Sequence, residues 1–372
     1  MRNLATIKLG DILEYEQPTK YIVKDTNYNN KYKTPVLTAG KTFILGYTNE
    51  KENIYKKNLP VIIFDDFTTA IKYVDFPFKV KSSAMKILHT DENIADIKYL
   101  FYYMTTIKSD TELHKRYWIS QYAHMGINLP PLNIQMKIAN ILDKATNLIN
   151  LRKQQLEKLD LLIKSKFIDM FGDPLTNPKK WDQSKFYKEF FINSGGTPST
   201  KEKKYWDNGT VSWIGSNLCQ NKILYSNDNK FITELGLSNS SAKIFGKDTV
   251  LVALVGATIG KVALLKFSTA TNQNVAGISI KNKNLFSSEF VFYYLQGLYQ
   301  KFMDIGSNKF KMANLTFIKN LPVLTPPVKL QNEFAEFVKE IEKQKLLVNT
   351  SLEKLELLYK SLMQKYFENT NG

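Results

Sequence analysis

Short clusters of acids and lysines are the first places in this chain where chemistry could reside. Asp65 and Asp66 close the apolar run Val61-Ile62-Ile63-Phe64, and Asp96-Ile97-Lys98 follows with acid-x-Lys spacing. Acids and a lysine so arranged can hold Mg²⁺ and orient a water for hydrolysis. Such triplets also arise without function in a charged chain, as Glu202-Lys203-Lys204 illustrates. Gly256-Ala257-Thr258-Ile259-Gly260-Lys261 imitates a phosphate loop. Only three residues separate its glycines, however, and Val262 stands where a magnesium-binding Ser or Thr is required. Asn128-Leu129-Pro130-Pro131 imitates the amine-binding motif of amino-methyltransferases, but Leu129 interrupts it and no glycine-rich cofactor loop precedes it. Cys219 is the single cysteine, and His89, His114 and His124 lack metal-ligand spacing. The chain is expected to hold no catalytic, cofactor-binding or metal residue.

The charge balance points elsewhere. Lys+Arg number 51 against 35 Asp+Glu, a formal charge of +16, and such a surplus favours a polyanionic partner. Residues suited to nucleic acid then become the candidates. Thr69 and Lys72 follow one strand run, and Thr258 and Lys261 match them in a second; a lysine there can neutralise phosphate. Lys115, Arg116, Tyr117, Gln121 and Tyr122 interleave positive, aromatic and amide groups. Arg can pair bidentately with guanine and Gln with adenine in the major groove. Asn272 and Gln273, then Lys309, Lys311 and Asn314, offer similar groups later in the chain, with Ser82 and Ser83 as weaker candidates.

These groups sit on an internal repeat. Pro130-Pro131 returns as Pro326-Pro327, an offset of 196, and Gln135, Ala139 and Leu151 return as Gln331, Ala335 and Leu347. LEKLDLLIKS from Leu156 matches LEKLELLYKS from Leu352 without a gap, and Phe171 matches Phe367. Upstream, the run from Val61 to Val74 matches that from Val250 to Ala263, and Tyr99–Met104 matches Phe290–Leu295. Pro-Pro cannot lie inside a helix, so each pair marks the approach to one. Ile134, Ile138, Ile141, Ala145, Leu148, Leu159 and Leu162 recur at helical spacing, as do Leu330, Phe334, Phe337, Ile341, Leu352, Leu355 and Tyr359. Residues 133–170 as one helix would measure about 57 Å. A stripe that long needs a partner, and its duplicate is the obvious one.

β-branched runs broken by Gly, Asn and Pro, each followed by a helix, make the two halves α/β, a mixed α+β fold. The expected segments are a module at 1–130, a long helix at 131–171, a Pro- and Asn-rich linker at 172–181, a second module at 182–325, a second long helix at 326–368 and a tail at 369–372. The N-terminus lacks the apolar core of a signal peptide, and no apolar run approaches membrane-spanning length. The cytoplasm is the expected compartment.

The order of module, long helix, linker, module and long helix resembles the specificity subunits of Type I restriction–modification enzymes along essentially the whole chain. Pro130-Pro131-Leu132 with Gln135 resembles that family's helix entry, and Phe171-Gly172-Asp173-Pro174 with Asn177-Pro178 and Trp181 its module junction. Gly195-Gly196-Thr197-Pro198, Tyr205-Trp206, Trp213-Ile214 and Thr271-Asn272-Gln273 resemble a common recognition-domain pattern. The second helix copy departs from the junction pattern, running Phe367-Glu368-Asn369 without Gly-Asp-Pro.

The resemblance implies two target recognition domains separated by an antiparallel helix pair, a coiled coil with internal pseudo-two-fold repeat. Each domain would read half of a split, asymmetric site in double-stranded DNA. Two methyltransferase subunits would dock on the helices and use S-adenosylmethionine, while restriction subunits would use ATP and Mg²⁺; this chain would bind no cofactor and no membrane. Two alternatives stay open from sequence: a basic coiled-coil scaffold for protein or membrane, and a Mg²⁺ nuclease using Asp65, Asp66, Asp96 and Lys98.

Overall fold

A computed structural model describes residues 6–38, 42–107, 117–305 and 312–367. The chain divides by internal packing into two units, residues 1–153 with 350–372 and residues 154–349. Each unit therefore takes one part of each long helix.

The first unit runs β1 (Thr6–Lys8), α1 (Leu9–Ile12), β2 (Glu14–Glu16), β3 (Thr34–Leu37), β4 (Ile44–Thr48), β5 (Val61–Asp65), β6 (Ile71–Val74), β7 (Lys79–Val80), β8 (Met85–His89), α2 (Ile97–Thr106), α3 (Tyr117–Ser120), β9 (Gly126–Asn128) and the start of α4 (Leu132–Phe171). A four-stranded sheet has the order β2-β8-β5-β6, a smaller one β4-β3-β7, and β1 pairs with β9. β5 is central because it is apolar on both faces. Ile62 and Phe64 pack toward α2, whereas Val61 and Ile63 pack toward the residues of the smaller sheet. Asp96 starts α2 by accepting from the Tyr99 backbone N–H at 2.7 Å, a side-chain N-cap.

The second unit repeats the plan with additions: β10 (Gln183–Lys185), α5 (Phe186–Glu189), β11 (Phe190–Ser194), β12 (Val211–Ile214), β13 (Lys222–Leu224), β14 (Phe231–Ile232), α6 (Glu234–Ser238), β15 (Ile244–Phe245), β16 (Val250–Ala253), β17 (Val262–Leu265), β18 (Thr269–Thr271), β19 (Val275–Ile280), α7 (Ser288–Gly297), α8 (Tyr299–Met303), α9 (Leu315–Asn320), β20 (Pro322–Leu324) and the start of α10 (Val328–Phe367). Its sheets are β11-β19-β16-β17-β13 and β14-β12-β18-β15, and β10 pairs with β20. The larger sheet gains β13 at one edge, and the smaller gains β15.

α4 and α10 are each 40 residues long. Within each unit they pack antiparallel. In the first, Arg152 Nε donates to Ser351 Oγ at 3.2 Å, while Ile138 and Leu142 share a core with Phe367. In the second, Lys345 pairs with Asp160 at 2.7 Å, and Phe171 packs edge-on against Phe334. The buried stripe of α4 is Ile138, Leu142, Ala145, Ile149, Ile163, Phe167 and Phe171, and that of α10 includes Phe334, Val338, Ile341 and Val348. The stripe expected from sequence needs correcting at three places. Ile134, Leu148 and Leu162 are exposed. Their three-and-four spacing fits two neighbouring stripes equally, and a one-residue step turns a side chain by about 100°. Ile141, Leu159, Leu330, Phe337, Leu352 and Leu355 flank the seam, partly buried.

The segment after α4 is folded back rather than loose. Gly172 takes a positive φ of 79°, and a Cβ there would lie 2.8 Å from Pro178. Trp181 Nε1 donates to the Phe171 carbonyl at 3.0 Å, and Asn177 Oδ1 accepts from the Trp181 N–H at 2.9 Å.

Candidate nucleic-acid interface

Three connections meet at one strand end in each unit. In the first, the β7–β8 connection begins where Lys81 N–H donates to Leu37 O (2.9 Å) and ends where Asp66 N–H donates to Ala84 O (3.3 Å). The second connection, residues 66–70, follows β5. The third arrives at Tyr117, whose N–H donates to Asp66 O at 3.4 Å. The second unit repeats every bond. Asn272 N–H donates to Ile214 O (3.2 Å), Leu254 N–H to Asn274 O (2.8 Å), and Ala313 N–H to Leu254 O (2.8 Å). Met312 adds a bridge to Val255.

This equivalence places Ser82 and Ser83, both exposed, in the same connection as Asn272 and Gln273. The sequence candidates of the two halves thus converge on one position in the fold. Thr197 Oγ1 donates to Gln273 Oε1, joining the Gly195–Pro198 segment to that connection. Gly195 and Gly196 are required there, because a Cβ would fall 2.1 Å from Thr271 Oγ1 and 2.3 Å from Ser241 Oγ. Trp213 Nε1 fixes the same segment by donating to Gly196 O at 3.0 Å.

The two lysines are less alike than their sequence match implies. Lys72 lies inside β6 opposite Ile63, exposed, with Nζ 5.9 Å from the Phe43 ring centroid. Lys261 precedes β17, in a connection that spans 254–261, and its Nζ donates to Gln220 Oε1 at 3.1 Å. Gln220 in turn donates to Asn217 O at 3.1 Å. Asn217 and Gln220 are exposed interface candidates that sequence reasoning missed; the amide-rich run Asn217–Asn221 was the available signal.

Other candidates fall elsewhere. Tyr117 and Tyr122 are core residues, 2% and 1% exposed, and Tyr122 packs on Phe64 at 4.8 Å. Their rings are withdrawn from solvent, which corrects the expectation that they face DNA. Gln121 remains partly exposed after α3. Thr69 holds a positive φ of 57° in the β5–β6 turn, and Thr258 ends the helical turn Gly256–Thr258. Asn314 is exposed and caps α9, accepting from Phe317 N–H at 2.8 Å. Lys115, Arg116, Lys309 and Lys311 lie outside the described residues.

The four residues of the nuclease alternative serve separate local structures. Asp65 accepts from Phe67 N–H and Thr68 Oγ1. Asp66 pairs with Lys86 at 3.4 Å, and Asp96 caps α2. Lys98 meets Asp143 of α4 at 2.6 Å. Among the described residues, no three His, Cys, Asp or Glu are grouped to hold a metal. Burial pushes the Cys219 thiol up to about 12, which disfavours the reactive thiolate. No described helix is long and apolar enough to cross a membrane.

What positions these surfaces is a duplicated junction. In the first unit Gln135 Oε1 accepts from Asp96 N–H at 2.9 Å while its Nε2 donates to Pro130 O at 2.7 Å. In the second, Gln331 Oε1 accepts from Ser287 N–H at 3.0 Å and its Nε2 donates to Pro326 O at 2.8 Å. Each buried amide locks a module's helix to the entry of a long helix.

The model of the Type I restriction modification DNA specificity domain matches residues 1–161 and again 178–357. A Type I restriction enzyme specificity subunit of Escherichia coli is 39% identical over 301 residues, covering 75% of this chain and 71% of that one. A putative Type I specificity subunit of Methanocaldococcus jannaschii is 25% identical over 263 residues, 66% of this chain and 59% of that one. The fold is similar to the crystal structure of a Type I restriction–modification S subunit from M. genitalium, with TM-score 0.66, 14% identity and coverage of 99% and 97% of the two chains. With its duplicated architecture and two family matches that together take in most of its length, the chain belongs to the Type I restriction–modification DNA-specificity family.

Proposed function

We propose that the chain, as the non-catalytic specificity subunit of a Type I restriction–modification enzyme, reads a split and asymmetric DNA site, one half with each unit. The observation that carries this reading is the shared bonding of three connections at one strand end, with different side chains upon them. Lys81, Ser82 and Ser83 in one unit occupy the connection that Asn272 and Gln273 occupy in the other. A common frame with unlike polar groups is what two unlike half-sites require. Lys72 and Lys261, with the surplus of positive charge, supply phosphate contacts that position without selecting. On this reading the recognition modules are residues 1–130 and 182–325.

Two methyltransferase subunits dock on the long helices and modify adenine at N6 with S-adenosylmethionine. Restriction subunits supply ATP- and Mg²⁺-dependent translocation and cleavage, and the complex works in the cytoplasm. What supports paired docking is a set of leucines left exposed at the same repeat positions. Leu151, Leu357 and Leu358 belong to the first unit, and Leu347, Leu161 and Leu162 to the second. Exposed apolar groups repeated in this way mark a surface for partners.

The test is methylation mapping in cells carrying the chain with its methyltransferase subunit. Ser82→Ala with Ser83→Ala should change one half-site only, and Gln273→Ala the other only. Changes confined to the same half-site, or methylation by the purified chain alone, would refute the assignment.

A further inference from the structure

Asp66 is a buried acid with no counterpart in the other half of the molecule. The main-chain bonds given above match it to Leu254: each donates to the residue that ends one connection and accepts from the residue that ends another. Both backbones therefore fasten the same three segments. Only Asp66 adds a side chain to the task. Its Oδ1 accepts from the Trp118 backbone N–H at 2.9 Å, in the first turn of α3. Its Oδ2 lies 3.4 Å from Lys86 Nζ on β8, with both side chains about as buried as the core, 5% and 6% exposed. Lys86 Nζ also lies 5.2 Å from the Tyr15 ring centroid, on β2. One carboxylate thus ties α3, the strand after the Ser82-Ser83 connection, and the end of β5.

We propose that Asp66 is the positioning residue of the first recognition module, holding α3 and the Ser82-Ser83 connection in register so that the first half-site is read with full stringency. The proposal rests on the reading that these segments face DNA. The asymmetry gives it content, because in the second unit the same place is held by backbone bonds and a leucine. A buried ion pair is weak evidence for stability, since apolar residues of similar volume often replace one without loss. Retaining Asp66 and Lys86 in an apolar setting therefore points to geometry. A backbone N–H that loses its charged acceptor leaves α3 free to shift, and a shift of about 1 Å at a reading surface is enough to spoil paired hydrogen bonds.

The decisive variant is Asp66→Leu with Lys86→Met, which copies the apolar solution of the second unit and leaves no buried charge unpaired. It should assemble with the methyltransferase subunit and melt below the parent complex by no more than the stranded Trp118 N–H accounts for. Methylation mapping should show the second half-site unchanged and discrimination at the first half-site weakened by about tenfold, the order of one good base contact. Lys86→Arg alone, which keeps the pair, should retain most of the parent's discrimination. Gln121→Ala is mapped in parallel to test the reading surface itself. If Gln121→Ala alters the first half-site while the double variant reads it as the parent does, Asp66 has no positioning role. If the double variant weakens the first half-site and Gln121→Ala does not, positioning stands and Gln121 is not a reader. If neither alters it, both the positioning role and this reading surface are wrong.

Discussion

The two units solve the same mechanical problem twice and the recognition problem differently. Where a module meets its long helix they agree bond for bond. Gln135 and Gln331 make the same pair of contacts, and Tyr103 and Tyr294 donate to Gly126 O and Pro322 O at 2.9 and 3.0 Å. Phe367 and Phe171, matched in the repeat, fill equivalent places beside α2 and α7. Away from that junction the backbone bonds of the strand-end connections still agree, but the side chains do not. Lys98 and Tyr102 grip Asp143 in the first unit, whereas in the second Lys266 bridges Asp248 and Glu289, and Lys345 bridges Asp160 and Glu342. The β7–β8 and β5–β6 connections differ from their counterparts in length and in most of their polar groups. A junction must be rigid whichever sequence is read, so its residues are fixed by packing. On the proposed function, a reading surface has only to be held, so its residues are free to differ.

The sharpest way to break this comparison is to empty the matched aromatic sites. Phe171→Ala should destabilise the second unit by about 3–5 kcal/mol, and Phe367→Ala the first by a similar amount, because each removes a fully buried ring. Unit-resolved hydrogen exchange would measure this, and loss of protection in the same unit from both changes would contradict the equivalence. Next in size are Gln135→Leu and Gln331→Leu. Each strands a buried N–H and carbonyl, for roughly 2–3 kcal/mol, and protection should fall in α2 for the first and in α7 for the second.

A smaller effect is a pH dependence within the first unit. Burial works against the charged form of Lys98, but its bond to Asp143 and the surrounding negative groups outweigh it, and the pKa is raised above the usual 10.5. The stability this pair supplies is then complete below the ordinary lysine pKa and is lost as pH climbs through the raised folded value. Lys98→Met should remove about 1 kcal/mol from the first unit at neutral pH and should flatten its alkaline loss of stability, leaving the second unit unchanged. Denaturation followed by unit-resolved exchange at neutral and alkaline pH would measure both. The smallest change is electrostatic. Lys72→Ala or Lys261→Ala should weaken DNA binding by the assembled complex equally for cognate and unrelated sequences, and lower the salt slope by roughly one. Relaxed specificity without a salt effect would show that these lysines read bases.

The repeat, the two long helices, the mixed α+β modules and the family were legible in the sequence, because Pro-Pro entries, a gap-free leucine register and β-branched runs are local signals. The absence of a complete phosphate loop was equally local. Which stripe of the first long helix is buried was not fully legible, since Ile134, Leu148 and Leu162 keep helical spacing while facing solvent. Nor was the true register of the modules: the run of identities pairs Lys72 with Lys261, yet connections of different length place one inside a strand and the other before one. Likewise Asp66 resembles a metal ligand in sequence, and only the approach of Trp118 and Lys86 makes it an anchor. Periodicity is carried by neighbours along the chain, whereas burial, register and ion pairing are decided by residues tens of positions away, which only the folded chain brings together.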